Sequence, residues 1–263
     1  LEKMVGALGK AKHVARRPWA VESGEACERP VDLAVCRYDR IDADGSVIPY
    51  EKEDLQRFYG EWYGKPHVRS GWLEFLAVTG IGCHWDTVTA MLFRRSLLDK
   101  VGLFRTDVGN AADRLWRWKA LLHTDVAYVP AKLATWRVHG EQATANRKRL
   151  APRWYKERLA ELLDESVAVF PSTWRNDPAW QDKILHHFLK EELNSYRLDR
   201  QTLQGKPGGF FRGAGPAARE NPGYLARRLF NGLSRKDPLL EDEVRFTQRL
   251  VKEWSVPWPP REI

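Results

Sequence analysis

The fold class that the 263 residues predict is an α/β layer followed by a mainly α-helical C-terminal extension. Three observations predict it. Runs with strand character alternate with helical patterns up to about residue 145, the signature of helices layered on a sheet. Beyond that point the apolar spacing is helical only. Hydrophobic residues make up 43% and charged residues 30%, a composition that buries a core under a water-facing surface. The corresponding division is 1–146 for the α/β part and 147–263 for the helical extension.

The elements follow in order. "LEKMVGALGKA" sets Leu1, Met4, Val5 and Leu8 on one helical face. "VDLAVCRYDRI" reads as a strand, "DADG" as a turn and "SVIPY" as a second strand. "EDLQRFYGEWYG" is aromatic-rich and reads as a loop with a helical turn, and "GWLEFLAVTGIG" as a short helix closed by glycine. "HWDTVTAMLFRR" is β-branched and apolar, hence a strand. "RSLLDKVGLF" follows as a short helix ending at Gly102. "NAADRLWRWKALLH" distributes Ala112, Leu115, Trp116, Trp118, Ala120 and Leu122 around a helix. "VAYVPAKLATWRVH" reads as two short strands bent at Pro130.

In the extension, Tyr155, Leu159, Leu162, Leu163, Val167 and Phe170 recur at helical spacing. "DPAWQDKILHHFLKEELNSY" opens with Asp177 as cap and Pro178 at the first helical position. His186 and His187 are adjacent and diverge by about 100° on such a helix, which reads as two partly exposed residues and not a metal pair. "GKPGGFFRGAGP" is a linker, helices are expected near 222–234 and 240–254, and the tail "SVPWPPREI" is expected to be extended.

Composition bounds the function. No apolar stretch approaches the roughly 20 residues that span a bilayer, and no signal-peptide pattern opens the chain. Cys27, Cys36 and Cys83 are far apart and odd in number, which reads as three reduced thiols. The expected location is the cytoplasm, with peripheral contact at the inner face of the membrane through the basic amphipathic stretch "ENPGYLARRLFNGLSRK". That stretch can equally pack on the domain with a solvated basic face. The net charge of +8 admits nucleic acid, anionic lipid or an anionic small substrate. The basic residues are interspersed with acids and do not interleave with aromatics, so no specific nucleic-acid partner is expected.

Two stretches can carry chemistry. In "GNAADRLWRW", Asp113 stands at the start of a helix, where the dipole favours its ionised form and it can act as a general base or simply as a first-turn acid. In "LATWRVHGEQAT", a strand ends in Arg137, His139 and Gly140. The cation and the imidazole can meet a phosphate, and His139 can also ligate a metal. A strand-end histidine packed on Trp136 is the plain alternative.

The run from "TAMLFRR" through "LLDKVGLF", the acid-plus-aromatic helix start, "AYVPAKL" and Arg-x-His-Gly resembles the C-terminal half of a family 2 glycosyltransferase of the GT-A fold. "LAVCRYDRIDADGSVI" resembles the segment that family places after its metal-binding motif. The resemblance spans roughly residues 1–146. It implies a partial GT-A fold, a Rossmann-like mixed sheet with flanking helices. It also implies an inverting transfer of sugar from a nucleotide-sugar donor to a glycan or lipid-linked hydroxyl, as in polysaccharide biosynthesis at a bacterial cell envelope. By the same resemblance Asp113 is the catalytic base, Arg137 and His139 serve the donor diphosphate, and a divalent cation, Mn²⁺ or Mg²⁺, is the cofactor, with His139 as its candidate ligand.

His84, Trp85, Asp86 and Trp116 are then expected to border the acceptor, although "HWD" also reads as a Trp anchoring a strand beside a capping Asp. The family's residue before the base is acidic, whereas here it is Ala112. The family's donor-binding half has no counterpart in this sequence. The chain opens at Leu1, and donor-binding sequence is expected upstream. "DADG" spells Asp-x-Asp, yet Asp42 and Asp44 are read as a hairpin turn, not the family's metal motif and not a calcium loop. The alternative to catalysis is a glycan-binding or scaffold module derived from a truncated transferase.

Overall fold

The computed structural model describes residues 1–15, 29–140, 152–194 and 243–263. Among these residues a mixed six-stranded sheet is flanked by helices. β1 (Val31–Ile41) and β5 (Asp125–Arg137) run parallel at its centre. β3 (His67–Arg69) continues the sheet beyond β5, and β6 (Arg261–Glu262) pairs with β3, both antiparallel. The other edge of β1 carries β2 (Val47–Ile48) near its C-terminal end and β4 (Met91–Phe93) nearer its start.

Nine helices are described: α1 (Glu2–Ala15), α2 (Glu53–Tyr59), α3 (Gly71–Gly80), α4 (Ser96–Val101), α5 (Ala112–His123), α6 (Pro152–Ser166), α7 (Ser172–Arg175), α8 (Trp180–Asn194) and α9 (Glu243–Glu253). None among the described residues is long and apolar enough to cross a membrane.

β1 forms over the residues expected, because "VDLAVC" is apolar on both faces and both faces are covered. β5 is one strand and not two. Cys36 pairs with Val129 and Arg37 with Lys132, so Pro130 and Ala131 form a bulge and the strand continues past a residue that cannot donate to the ladder. "HWDTVTAMLFRR" contributes only three strand residues, since 88–90 is a 3-10 turn. "EDLQRFYGEWYG" is more helical than a loop: α2 runs directly into a 3-10 turn at Gly60–Gly64. The buried face of α1 is Met4, Ala7, Leu8 and Ala11, while Leu1 and Val5 are exposed. "DADG" is a turn: Asp42 Oδ1 accepts from the amides of Asp44 (2.9 Å) and Ser46 (2.8 Å), and Gly45 has φ +92°.

The helices of the extension pack on those of the α/β layer and share one hydrophobic core with it. Trp118 on α5 meets Phe188 on α8 edge to face at 5.2 Å. α8 opens at Trp180, so Asp177 and Pro178 lie in the turn before it and not at the cap and first helical position expected; Asp177 accepts there from the Ala179 amide (2.9 Å), and it also receives Lys183 Nζ (2.6 Å) and the Trp254 indole N–H (3.0 Å). It thereby ties the start of α8 to the end of α9. Cys36 and Cys83 are buried free thiols. Cys27, the expected linker and the helix expected near 222–234 lie outside the described residues.

His187 is not partly exposed but fully buried, stacked on Phe246 and 2.8 Å from Thr247 Oγ1. It occupies the space a side chain at position 80 would need: a Cβ on Gly80 would lie 1.3 Å from His187 Nε2. Helices α3, α8 and α9 therefore meet at a contact that only glycine permits. Gly80→Ala is expected to destabilise the fold by about 1–3 kcal/mol through overpacking, read as a lower denaturant midpoint. An unchanged midpoint would contradict this packing.

Candidate active site

A cavity of about 480 Å³ opens beside the C-terminal ends of β1 and β5. Crevices at the C-terminal ends of parallel strands are where α/β folds place ligands. β1 supplies Arg40 and β5 supplies Trp136, which are paired in the parallel register. Tyr50 and Lys52 come from the segment after β2. Asp86 comes from the loop after α3, Asp113, Arg114 and Arg117 from the first turns of α5, and Tyr155 from α6.

Two carboxylates face this space. Asp86 accepts from Tyr38 Oη (3.2 Å) and Tyr50 Oη (3.4 Å), and pairs with Lys52 Nζ at 2.9 Å and Arg117 Nη1 at 3.9 Å. Burial opposes its charge, but Lys52 and Arg117 outweigh burial and hold the carboxyl below the ordinary range. The Lys52 ammonium is raised reciprocally, with Asp86 outweighing burial. Burial first, and then Asp86, push the Tyr38 phenol up, so it stays a donor. Asp86 is thus an ionised anchor with its partners in place. Asp113 is different: its side chain is 32% exposed, Oδ1 accepts from the Arg114 amide (2.8 Å), and Oδ2 lies 3.4 Å from Arg117 Nη2. It is the carboxylate that an incoming hydroxyl can reach. Cys83 also borders the cavity, but burial pushes its thiol up, so it is no nucleophile at neutral pH.

Asp86 is aimed by a buried network beneath it. Arg69 on β3 pairs with Glu74 on α3 (Nε–Oε2, 2.8 Å), both fully buried. Glu74 accepts from Tyr59 Oη and from the Trp85 indole N–H, each at 2.5 Å. The Arg69 guanidinium lies over the rings of Tyr59 (4.5 Å) and Tyr128 (4.7 Å). Arg69 Nη2 is 2.8 Å from His84 Nε2. A guanidinium only donates, so this nitrogen accepts and the neutral ring carries its proton on Nδ1. Burial, then the Arg69 charge, hold His84 well below its ordinary value.

The expected site residues therefore separate. Asp113 and Asp86 share the cavity. His84 and Trp85 do not line it; at 4% and 0% exposure they are spent on the Arg69–Glu74 network and present no face to an acceptor. Trp116 is likewise a core residue, stacked on Phe104 and tilted against Phe93, with its N–H on the Gly102 carbonyl (2.9 Å). Arg137 and His139 are exposed beyond the cavity at the tip of β5. The period-2 alternation of a strand that puts Trp136 on the cavity turns Arg137 away, where its Nη1 donates to the Ala43 carbonyl (2.5 Å).

Arg40, Lys52 and Arg117 were not singled out from sequence. Arg117 had a usable signal, being one helical turn from Asp113, and so did Arg40, two residues from Tyr38 on the same strand face. Among the described residues no three His, Cys, Asp or Glu side chains gather into a metal-binding group. The divalent cation implied by the resemblance thus finds no ligand set among the described residues. Comparison with family models, curated proteins and solved structures returns no match for this chain.

Two predictions concern the network. Glu74→Gln leaves Arg69 as an uncompensated buried charge and is expected to cost about 3–5 kcal/mol, whereas Arg69→Met combined with Glu74→Leu costs less than that single change. Chemical denaturation checks both, and a near-neutral Glu74→Gln would contradict the pairing.

The second prediction is an acid dependence. Burial, then Arg69, lower His67 from 6.5 to about 3. As pH falls from 6.5 toward 3, the unfolded chain binds a proton that the folded chain refuses, so stability is full above that window and declines within it. His67→Asn should reduce the slope by about tenfold in the folding equilibrium per pH unit. An unaltered slope would contradict a buried neutral His67.

Proposed function

We propose that the chain is the acceptor-side part of a GT-A glycosyltransferase resembling family 2. It would move a sugar from a nucleotide-sugar donor to a hydroxyl of a glycan or lipid-linked acceptor, with inversion. The observation that carries this reading is the reachable carboxylate of Asp113 at a helix start, facing one cavity with the rings of Tyr50, Trp136 and Tyr155. Sugars offer apolar ring faces and hydroxyl edges, and aromatic faces beside fixed polar groups suit both.

The chemistry then follows from position. Asp113 takes the proton of the acceptor hydroxyl as that oxygen attacks the anomeric carbon. The new C–O bond forms as the bond from the anomeric carbon to the diphosphate oxygen breaks. The nucleoside diphosphate leaves with the electron pair. Arg117, 3.4 Å from Asp113, holds the carboxylate in orientation until the proton arrives. His139, at the exposed tip of β5, is the side chain proposed to meet the departing diphosphate, whereas Arg137 is turned onto the Ala43 carbonyl.

A second reading, a glycan-binding module without turnover, is favoured by one observation: both Asp113 oxygens already have partners in the Arg114 amide and Arg117.

Release of nucleoside diphosphate by the full-length protein from a panel of nucleotide sugars, with oligosaccharide acceptors and Mn²⁺ or Mg²⁺ present, separates the readings. Transfer should occur, and Asp113→Asn should lower turnover by about 10²–10⁴-fold with donor affinity retained. Near-normal turnover in that variant would overturn the base assignment. Saccharide binding with no release would replace the enzyme by the binding module.

A further inference from the structure

Four cations line the cavity, Arg40, Lys52, Arg114 and Arg117, against two carboxylates, Asp86 and Asp113. Lys52 is spent on Asp86 and Arg117 on both carboxylates. Arg40 is not spent on either. Its guanidinium lies over the ring of Tyr50 at 3.8 Å and over that of Trp136 at 4.8 Å. Its Nε is buried without a hydrogen-bond partner among the described residues. Two acids adjacent in sequence to Arg40 and Tyr50 pair elsewhere: Asp39 with Lys132 at 2.8 Å, and Glu51 with Arg37 at 2.5 Å.

A guanidinium held between two aromatic faces loses little freedom on binding. Its N–H donors project from the ring edges in the fork that matches a carboxylate or phosphate. Donors of such a fork that open to the cavity are held by water until a ligand's oxygens replace it.

We infer that Arg40 is the anion receptor of this cavity and that its ligand is an acidic saccharide, one bearing a carboxylate or a phosphate group. This rests on the glycosyl-acceptor reading above and narrows it to a class of acceptor. The ligand's acidic group would sit on Arg40 at the strand ends while a hydroxyl of the same saccharide faces Asp113 across the cavity. Tyr50 and Trp136 then serve twice, fixing Arg40 and bordering the sugar ring.

Calorimetric titration with four probes tests it: a uronate oligosaccharide, a sugar phosphate, the neutral oligosaccharide of matching length, and inorganic phosphate. At least one acidic saccharide should bind about tenfold or more tightly than the neutral one, as expected for a charge-assisted bidentate contact, with the preference falling as salt rises. Whether the uronate or the sugar phosphate wins decides which acidic group the receptor takes. Arg40→Met should level acidic and neutral affinities, and Arg40→Lys should retain part of the preference because it keeps the charge and loses the fork. Circular dichroism and the melting temperature verify that both variants are folded.

Equal binding of acidic and neutral saccharides would overturn this inference and leave the glycan reading standing. Arg40-dependent binding of inorganic phosphate with no saccharide bound would keep the anion receptor and overturn the glycan reading. Binding by none of the probes would overturn the receptor.

Discussion

The buried ion pair of Arg69 and Glu74 is the constraint on which the rest of the site depends. Two charges without water are stable together only if each finds further partners. Here Glu74 receives Tyr59 and Trp85, and Arg69 receives His84 and two aromatic faces. These partners come from β3, α2, α3, β5 and the loop after α3. Satisfying one ion pair therefore fixes five pieces of chain against one another. The loop is the piece that matters for function, because Asp86 follows Trp85 directly. Arg117 locks the same loop from the other side by donating to the Trp85 carbonyl (3.2 Å).

From this frame the cavity acquires its polarity. β1 and β5 run parallel, so Arg40 and Trp136 arrive side by side at the same end of the sheet. α5 begins near that end and delivers Asp113 and Arg117 one turn apart. The result is two carboxylates with unequal fates. Asp86 is immobilised among donors, whereas Asp113 keeps an accessible edge. The asymmetry between an anchored and a reachable carboxylate is what the proposed transfer chemistry requires, and the proposed acidic acceptor adds a use for the Arg40 guanidinium, which lies over Tyr50 and Trp136.

Legibility in the sequence follows how local each cause is. β1, α3 and α5 are readable because their apolar patterns and end signals lie within the segments themselves. Asp113 was recognisable for the same reason, since a helix-start carboxylate needs no distant partner to be noticed. β3 was not readable: His67 and Arg69 look like surface residues, and only pairing with β5 and the charge of Glu74 make them core. The misplacement of His84 and Trp85 has the same origin. A polar-aromatic triplet beside a strand looks like a ligand wall until Glu74, about ten residues earlier in sequence, is seen to claim the indole N–H. For Arg137 the relevant cause was local and simple, the alternation that gives the cavity face to Trp136. The bulge at Pro130 resets pairing without ending the strand, which no period-2 reading of "VAYVPAKLATWRVH" reveals.

The most direct measurement of the central claim, that this cavity binds a saccharide, is an NMR titration with ¹⁵N-tryptophan-labelled protein. Each indole N–H is a separate reporter. The account predicts that a bound saccharide shifts the Trp136 indole signal while those of Trp85 and Trp116, bonded to Glu74 and Gly102 in the core, stay in place. A saccharide that binds and leaves Trp136 unmoved, or that shifts only the exposed Trp258, would contradict it.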